Sequence, residues 1–142
     1  MIYTNLTKKA LHLAYKHHKN DLDKGGIPYV YHLYHVASLM ECEYSICVAL
    51  LHDIIEFKHL TLKDLQREFP FEITEAIRLL TSDDTLSYPD YIRRIKTSEI
   101  ATKVKIEDLK HNLDLTRLDK ITKEDNLRKE KYEFALRVLE SE

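Results

Sequence analysis

The chain has 142 residues, of which 44% are hydrophobic, and a formal net charge of −2. This length suits one domain with a single core, and no Pro-, Gly- or Ser-rich linker divides the chain, so residues 1–142 are expected to form one domain. The near-neutral charge gives no electrostatic case for a nucleic-acid partner. The sequence contains no run of about eighteen apolar residues, the length needed to cross a membrane, and the N-terminus lacks the apolar stretch of a signal peptide. We therefore expect a cytoplasmic protein without membrane partners.

Helices dominate the predicted secondary structure. The chain contains only two glycines and three prolines but is rich in Leu, Lys, Glu and Ile, which favours helices joined by short connections. The fold class is therefore predicted to be all-α. In chain order, apolar periodicity predicts a helix over 4–19, a loop over 20–28, a helix from Tyr29 or Tyr31 to about Met40, and a nearly all-apolar helix over 43–56. Two short helices follow on either side of Pro70, the first opened by the capping residues Thr61 and Asp64, and then a loop over 81–89. Two more helices are predicted over DYIRRIKT and EIATKVKIEDLKHNLDL, and a last helix is opened by Thr122 and Asp125.

The adjacent residues His52 and Asp53 lie in the apolar segment VALLHDIIEF. An apolar helix rarely buries two ionisable neighbours without a partner, and a divalent metal accepts both imidazole nitrogen and carboxylate oxygen. His32 and Asp108, on other predicted helices, would complete a set of two histidines and two carboxylates. The alternative is structural: His52 and Asp53 could form a polar pair bonded to neighbouring helices, and Asp108 alone could be a surface or cap residue.

Two further polar side chains are predicted to accompany these ligands. On a helix, Glu56 would follow His52 and Asp53 by one turn, where its carboxylate could orient or deprotonate a water molecule. Asn112 would follow Asp108 by one turn, where its amide could hydrogen-bond a substrate or water.

The remaining histidines, cysteines and clustered tyrosines are given structural interpretations. Cys42 and Cys47 fit neither a CxxC metal motif nor a disulfide framework, so both are expected to be reduced residues of the core. Individually, the other histidines are ordinary helix or surface residues, and the clustered tyrosines are expected to pack in the core and at its rim. These residues are His12, His17, His18, His35, His59 and His111, and Tyr29, Tyr31 and Tyr34.

Three segments in succession, GIPYVYHLYHVA, CVALLHDIIE and VKIEDLKHN, resemble the motifs of the HD-domain phosphohydrolases. Within that superfamily the chain is similar to the alarmone hydrolases, namely the hydrolase domain of RelA/SpoT-type enzymes and the stand-alone small alarmone hydrolases. The resemblance implies a helical bundle of the HD type and a divalent ion, commonly Mn²⁺, held by His32, His52, Asp53 and Asp108. It also implies catalytic roles for Glu56 and Asn112, and a phosphate or purine contact from Lys24 in the loop over 20–28.

The activity implied by this resemblance is hydrolysis of ppGpp or pppGpp, the alarmones of the stringent response. Metal-activated water would attack a phosphorus of the 3′-pyrophosphate and release pyrophosphate. Fe²⁺, Co²⁺, Ni²⁺ and Zn²⁺ also suit His and carboxylate ligands, and the oligomeric state is not predicted. The alternatives are a phosphatase for another nucleotide or small phosphate ester, a catalytically weakened nucleotide sensor, and a purely structural helical protein.

The sequence departs from the family pattern at three positions. Phe57 stands where a second acid normally follows the glutamate, so HDIIEF lacks one carboxylate. Asp23 and Lys24 replace a basic pair, which removes one expected positive charge. Leu33 replaces a proline after the first ligand histidine. These departures are expected to preserve metal binding and to affect alarmone specificity.

Overall fold

Polar side chains start several helices by capping their free backbone amides. The Thr61 hydroxyl accepts a hydrogen bond from the Asp64 amide at 3.2 Å, while the Asp64 carboxylate accepts one from the Thr61 amide at 2.9 Å. Thr122 and Asp125 form the same reciprocal pair. The two predicted capping signals are therefore confirmed. The capping side chains are Thr4, Thr61, Ser87, Ser98 and Thr122.

The computed structural model describes residues 1–142, and its regular structure is helical, which confirms the predicted all-α class. The helices are α1 (Asn5–His18), α2 (Val30–Ser38), α3 (Glu43–Leu51), α4 (Leu62–Gln66), α5 (Phe71–Leu80), α6 (Tyr88–Lys96), α7 (Glu99–Asn112) and α8 (Lys123–Glu140), with a 3₁₀ turn at Leu115–Arg117. An isolated bridge between Leu22 and Pro28 closes the loop between α1 and α2. None of the helices has the length and apolar character needed to span a membrane.

Helix α3 lies at the centre of the fold. Every residue from Ser45 to Leu51 is buried, and the helix packs against α1, α2, α5 and α7. Large side chains such as Ile46, Leu51 and Ile54 are fully buried, and each such burial contributes about 1.5–3 kcal/mol. Helix α8 covers α6 and α7. Because α2 and α7 both contact α3, polar residues on these three helices can meet inside the bundle.

The prediction that the third helix extends over 43–56 is wrong at its C-terminal end. Helix α3 ends at Leu51, and residues 52–58 form successive turns that include a hydrogen bond from the Lys58 amide to the Ile55 carbonyl. The His52 ring contacts the Ala49 carbonyl at 2.6 Å and so occupies a backbone acceptor of the last helical turn. His52 and Asp53 therefore lie at the end of a buried helix.

Two boundaries in the C-terminal half also differ from the prediction. Helix α6 begins at Tyr88, inside the predicted loop over 81–89, because Ser87 caps it and Pro89 occupies a first-turn position that needs no amide. Helix α7 ends at Asn112 rather than continuing through Leu115. There the Asp114 carboxylate accepts a hydrogen bond from the Thr116 amide at 3.1 Å, which favours the 3₁₀ turn.

Candidate metal centre

The four residues predicted as metal ligands lie together inside the bundle. His32 comes from α2, His52 and Asp53 from the end of α3, and Asp108 from α7, and each offers a ligand atom within 4.8 Å of the others. His32, His52 and Asp108 are buried, and Asp53 is partly buried. Packing of three helices thus produces a cluster of two imidazoles and two carboxylates.

The orientation of His52 suits a metal ligand. Its Nδ1 lies 2.6 Å from the Ala49 carbonyl, which requires a proton on Nδ1 and leaves the lone pair on Nε2 in the neutral ring. Nε2 lies 3.1 Å from Asp53 Oδ2 and 3.5 Å from Asp108 Oδ1 but has no aligned hydrogen-bond partner. A bare lone pair facing two carboxylates is unfavourable, so a proton or a metal ion must lie between them, and the donor set fits a divalent ion.

The charges around His52 also favour a cation at this centre. Burial lowers the pKa of His52, but the negative charges of Asp53 and Asp108 outweigh burial and raise this pKa well above 6.5. The centre therefore attracts positive charge strongly, either as a proton on His52 or as a metal ion.

Asp108 is held from several sides. Its Oδ1 lies 2.8 Å from His32 Nε2 and accepts a hydrogen bond from Asn112 Nδ2 at 3.1 Å. Its Oδ2 accepts one from Lys105 Nζ at 3.1 Å. Burial alone would raise the pKa of Asp108, but the Lys105 charge and the histidine hydrogen bonds lower it well below 3.8. Asp108 is therefore an ionised carboxylate.

Two further histidines support His32. His32 Nδ1 lies 2.7 Å from His111 Nδ1, and the two ring planes are nearly parallel, at 9°, with centroids 5.0 Å apart, so the rings meet edge to edge through this contact. Burial and the nearby Arg117 charge lower the pKa of His111 to about 4, so its ring is neutral at physiological pH and can accept a hydrogen bond from His32. His35 stacks on His111 with ring centroids 4.1 Å apart. When His32 Nδ1 donates to His111, the neutral ring has its lone pair on Nε2, which faces Asp108 Oδ1 and can bind a metal there.

Tyr29, at the start of α2, donates a hydrogen bond from its hydroxyl to Asp53 Oδ2. Burial and the Asp53 charge raise the pKa of Tyr29, so the phenol stays protonated and remains a donor. The hydrogen bond fixes one oxygen of the least buried carboxylate of the cluster.

Glu56 does not follow His52 on a continuous helix, contrary to the prediction. It lies in the turns after α3, where its Oε1 accepts hydrogen bonds from the amide and the hydroxyl of Ser82 at 2.7 and 2.6 Å. Ser82 belongs to the connection between α5 and α6. One carboxylate oxygen is therefore fixed, while Oε2 has no hydrogen bond to the protein.

A cavity of about 320 Å³ lies beside the centre and shares Tyr29 and Asn112 with it. Its lining includes four basic side chains, Lys24, Arg117, Arg128 and Lys129, and three carboxylates, Asp23, Asp114 and Asp125. Arg117 donates to Asp23 Oδ2 at 3.1 Å and to Asn112 Oδ1 at 3.2 Å. Asp23, which stands where the family pattern has a basic residue, is therefore paired with the Arg117 guanidinium from a distant part of the chain.

Phe57 lies between the centre and the end of α1. Its ring centroid is 4.7 Å from that of Tyr29 and 5.0 Å from that of His18. The position that carries an acid in the family pattern is thus part of an aromatic cluster in this chain.

The sequence interpretation missed five polar residues of this region. They are Tyr29, Ser82, Lys105, His111 and Arg117. Lys105 and His111 lie three residues before and after Asp108, so helical periodicity could have placed them beside it. The positions of Ser82 and Arg117 depend on loop conformations that no local pattern indicates.

No family model matches the chain. Among solved structures, it is similar to a metazoan ortholog of SpoT, described as a protein that hydrolyses ppGpp and plays a role in starvation responses, with a TM-score of 0.81 and 21% sequence identity. The match covers 98% of this chain and 87% of the other chain. The two proteins share one fold. The HD-type helical fold implied by the sequence motifs is therefore confirmed.

Proposed function

We propose that this protein is a cytoplasmic, metal-dependent phosphohydrolase that removes pyrophosphate from the 3′ position of ppGpp or pppGpp. The observation that carries the proposal is the convergence of His32, His52, Asp53 and Asp108 with a His52 lone pair facing two carboxylates. The fold shared with a SpoT ortholog that hydrolyses ppGpp supports the choice of substrate. Residues 1–142 would act as one hydrolase domain.

The four ligand residues would hold one divalent ion, and Mn²⁺ is our proposal for its identity. When bound, such an ion lowers the pKa of water and polarises a phosphoryl oxygen. Tyr29, Lys105 and His111 would keep the ligand atoms in place, since each contacts one ligand side chain from outside the cluster.

Glu56 is proposed as the general base. Ser82 occupies Oε1 with two hydrogen bonds, which leaves Oε2 to accept a proton from the attacking water. The water oxygen would bond to the phosphorus attached to the ribose 3′ oxygen while the bond to that oxygen breaks, giving pyrophosphate together with the nucleoside 5′-diphosphate from ppGpp or the nucleoside 5′-triphosphate from pppGpp. The ribose oxygen takes up a proton in the same reaction.

The cavity beside the centre is the proposed substrate site. Lys24 and Arg117 would contact phosphate oxygens, because both line the cavity and carry positive charge. Asn112 is proposed as a positioning residue, since its amide links Asp108 to Arg117 and so connects the ligand set with the cavity.

A substrate panel tests the reaction class. Purified protein with Mn²⁺ is incubated with ppGpp, pppGpp, nucleoside monophosphates and simple phosphate esters, and phosphate and pyrophosphate are detected separately. Pyrophosphate release from the alarmones alone supports the proposal. Phosphate release from the other esters, without pyrophosphate release from ppGpp, identifies the protein as a phosphatase instead.

The position of Phe57 favours a second candidate, a nucleotide sensor with weakened hydrolysis. Its ring packs against Tyr29 where the family pattern has an acid, so a carboxylate thought to assist catalysis is absent. Phe57→Asp discriminates between the two candidates. A large gain in turnover supports a degenerate hydrolase that acts as a sensor, whereas substantial wild-type activity that this substitution leaves unchanged rejects the sensor.

A further inference from the structure

A second group of metal-ligating side chains lies on the other side of Phe57. It consists of His18 at the end of α1, Asp21 in the following loop and His59 in the turns after α3, and we call it the His18 cluster. We infer that the His18 cluster is a second divalent-metal site, suited to Zn²⁺ or a similar ion, that joins three segments of the chain. This site is separate from the proposed catalytic centre and has no residue in common with it.

The geometry of the cluster centres on one carboxylate oxygen. Asp21 Oδ2 lies 2.9 Å from His18 Nδ1 and 2.8 Å from His59 Nε2. The ligand atoms of the three residues all lie within 4.8 Å of one another. Two imidazole nitrogens and one carboxylate oxygen are a common protein ligand set for Zn²⁺, with water as a fourth ligand. A small movement apart would admit an ion in place of the shared protons.

Burial gives the cluster one closed and one open side. The His18 side chain is fully buried, whereas 26% of the side chain is exposed in both Asp21 and His59. Solvent therefore reaches the two outer ligands, which provides an entry path and a position for water.

The backbone holds Asp21 in place before any ion binds. Its amide donates to the His18 carbonyl at 2.9 Å, and its carbonyl accepts from the Tyr29 amide at 2.8 Å. A fixed loop reduces the ordering entropy that metal binding would otherwise require.

The unpartnered nitrogen of His18 is the second observation. His18 Nε2 is buried without a hydrogen-bond partner, and the rings of Tyr29 and Phe57 flank the imidazole with centroids 5.6 and 5.0 Å away. If Nδ1 donates to Asp21, Nε2 is a buried acceptor with no donor, which costs about 1–3 kcal/mol. If Nδ1 binds a metal, Nε2 carries the proton and can donate it weakly to an aromatic face. Metal binding therefore matches the surroundings of both ring nitrogens.

A metal at this site would have a structural effect. It would fasten the end of α1, the loop over 20–28 and the turns after α3 to one another. The same loop carries Asp23 and Lys24 into the cavity beside the catalytic centre. The ion would thus stabilise one wall of the proposed substrate site without contacting the substrate.

Metal stoichiometry tests the inference. The purified chain is stripped with a chelator, loaded with Zn²⁺ and desalted, and the metal bound per chain is measured together with the melting temperature. Asp21→Asn removes the central charge, and His59→Gln removes a partly exposed ligand with less risk to folding. Asp53→Ala disables the catalytic centre, and Asp90→Asn, an exposed helix residue, is the matched control.

We expect two Zn²⁺ ions per wild-type and Asp90→Asn chain, and one per chain in Asp21→Asn, His59→Gln and Asp53→Ala. Zn²⁺ should still raise the melting temperature of Asp53→Ala, and Asp21→Asn combined with Asp53→Ala should abolish this rise. A single wild-type ion, lost in Asp53→Ala and unchanged in Asp21→Asn and His59→Gln, overturns the inference and leaves the proposed function intact. A single wild-type ion that is retained in Asp53→Ala and lost in Asp21→Asn and His59→Gln supports the His18 cluster and contradicts the proposed catalytic centre.

Discussion

The substitution His111→Phe should weaken metal binding while keeping an aromatic ring for His35 to stack on. His111 accepts the hydrogen bond that fixes His32 Nδ1, and its ring stacks on that of His35. Phenylalanine keeps a planar ring at this position but provides no acceptor. The Nδ1 proton of His32, a side chain only 2% exposed, would then be unpaired.

The expected magnitude follows from that loss. Leaving a buried donor unpaired costs about 1–3 kcal/mol, which corresponds to about 5- to 150-fold in an equilibrium constant. Removing the outer partner of a metal-bound histidine typically reduces metal affinity or activity by about 10- to 100-fold. We therefore expect the Mn²⁺ concentration for half-maximal ppGpp hydrolysis to rise by about 10- to 100-fold.

The assay is a Mn²⁺ titration of pyrophosphate release, with circular dichroism to show that each variant folds. His35→Phe is the matched control, because His35 stacks on the same ring but makes no hydrogen bond to His32. It should require Mn²⁺ concentrations close to those of the wild type. If His111→Phe shows the same Mn²⁺ dependence as His35→Phe, His111 does not hold the metal ligand and the reasoning is refuted.

Two further predictions concern Glu56 and the start of α8. Ser82→Ala removes the hydroxyl that holds Glu56 Oε1, so kcat should fall about tenfold with little change in KM, as expected for the loss of one hydrogen bond to a charged group. Ser38→Ala, at an exposed serine, is the control and should leave both constants unchanged. An equal loss of kcat in both variants would contradict the role of Ser82. The Thr122 backbone amide lowers the pKa of Asp125, so the stabilisation that this carboxylate provides is present above about pH 3.8 and is lost as the pH falls through its folded pKa. The difference in urea midpoint between the wild type and Asp125→Asn should therefore vanish in strong acid, and a constant difference would show that the charge is not responsible.

Apolar periodicity and capping residues predicted most of the fold because these signals are local. Thr61 and Thr122 marked two helix starts, and the apolar run before His52 marked the central helix. The early end of α3 could not be predicted, because it involves the contact of the His52 ring with the Ala49 carbonyl rather than a glycine or proline. The presence of a helix thus follows from the local pattern of residues, whereas the end of α3 depends on the conformation of one side chain, His52.

The same contrast between local sequence signals and long-range contacts holds for the candidate site. The grouping of the proposed ligands was predictable because an apolar helix contained His52 and Asp53 and the motifs resembled a known family. The supporting contacts depend on which helix faces meet and on the paths of loops. Ser82 reaches Glu56 across 26 residues of sequence, and Arg117 reaches Asp23 across 94. No periodicity within one helix encodes such pairs.

Mn²⁺-dependent release of pyrophosphate from ppGpp, measured in parallel for the wild type and Asp53→Ala, tests the central claim most directly. Asp53 is one of the four proposed ligands, so its replacement should abolish pyrophosphate release while the variant retains its helical content. This result would link the activity to the proposed metal centre and exclude a contaminating hydrolase. Equal pyrophosphate release by the two proteins would contradict the metal centre, and no release by the wild type with Mn²⁺ bound would contradict the alarmone hydrolase.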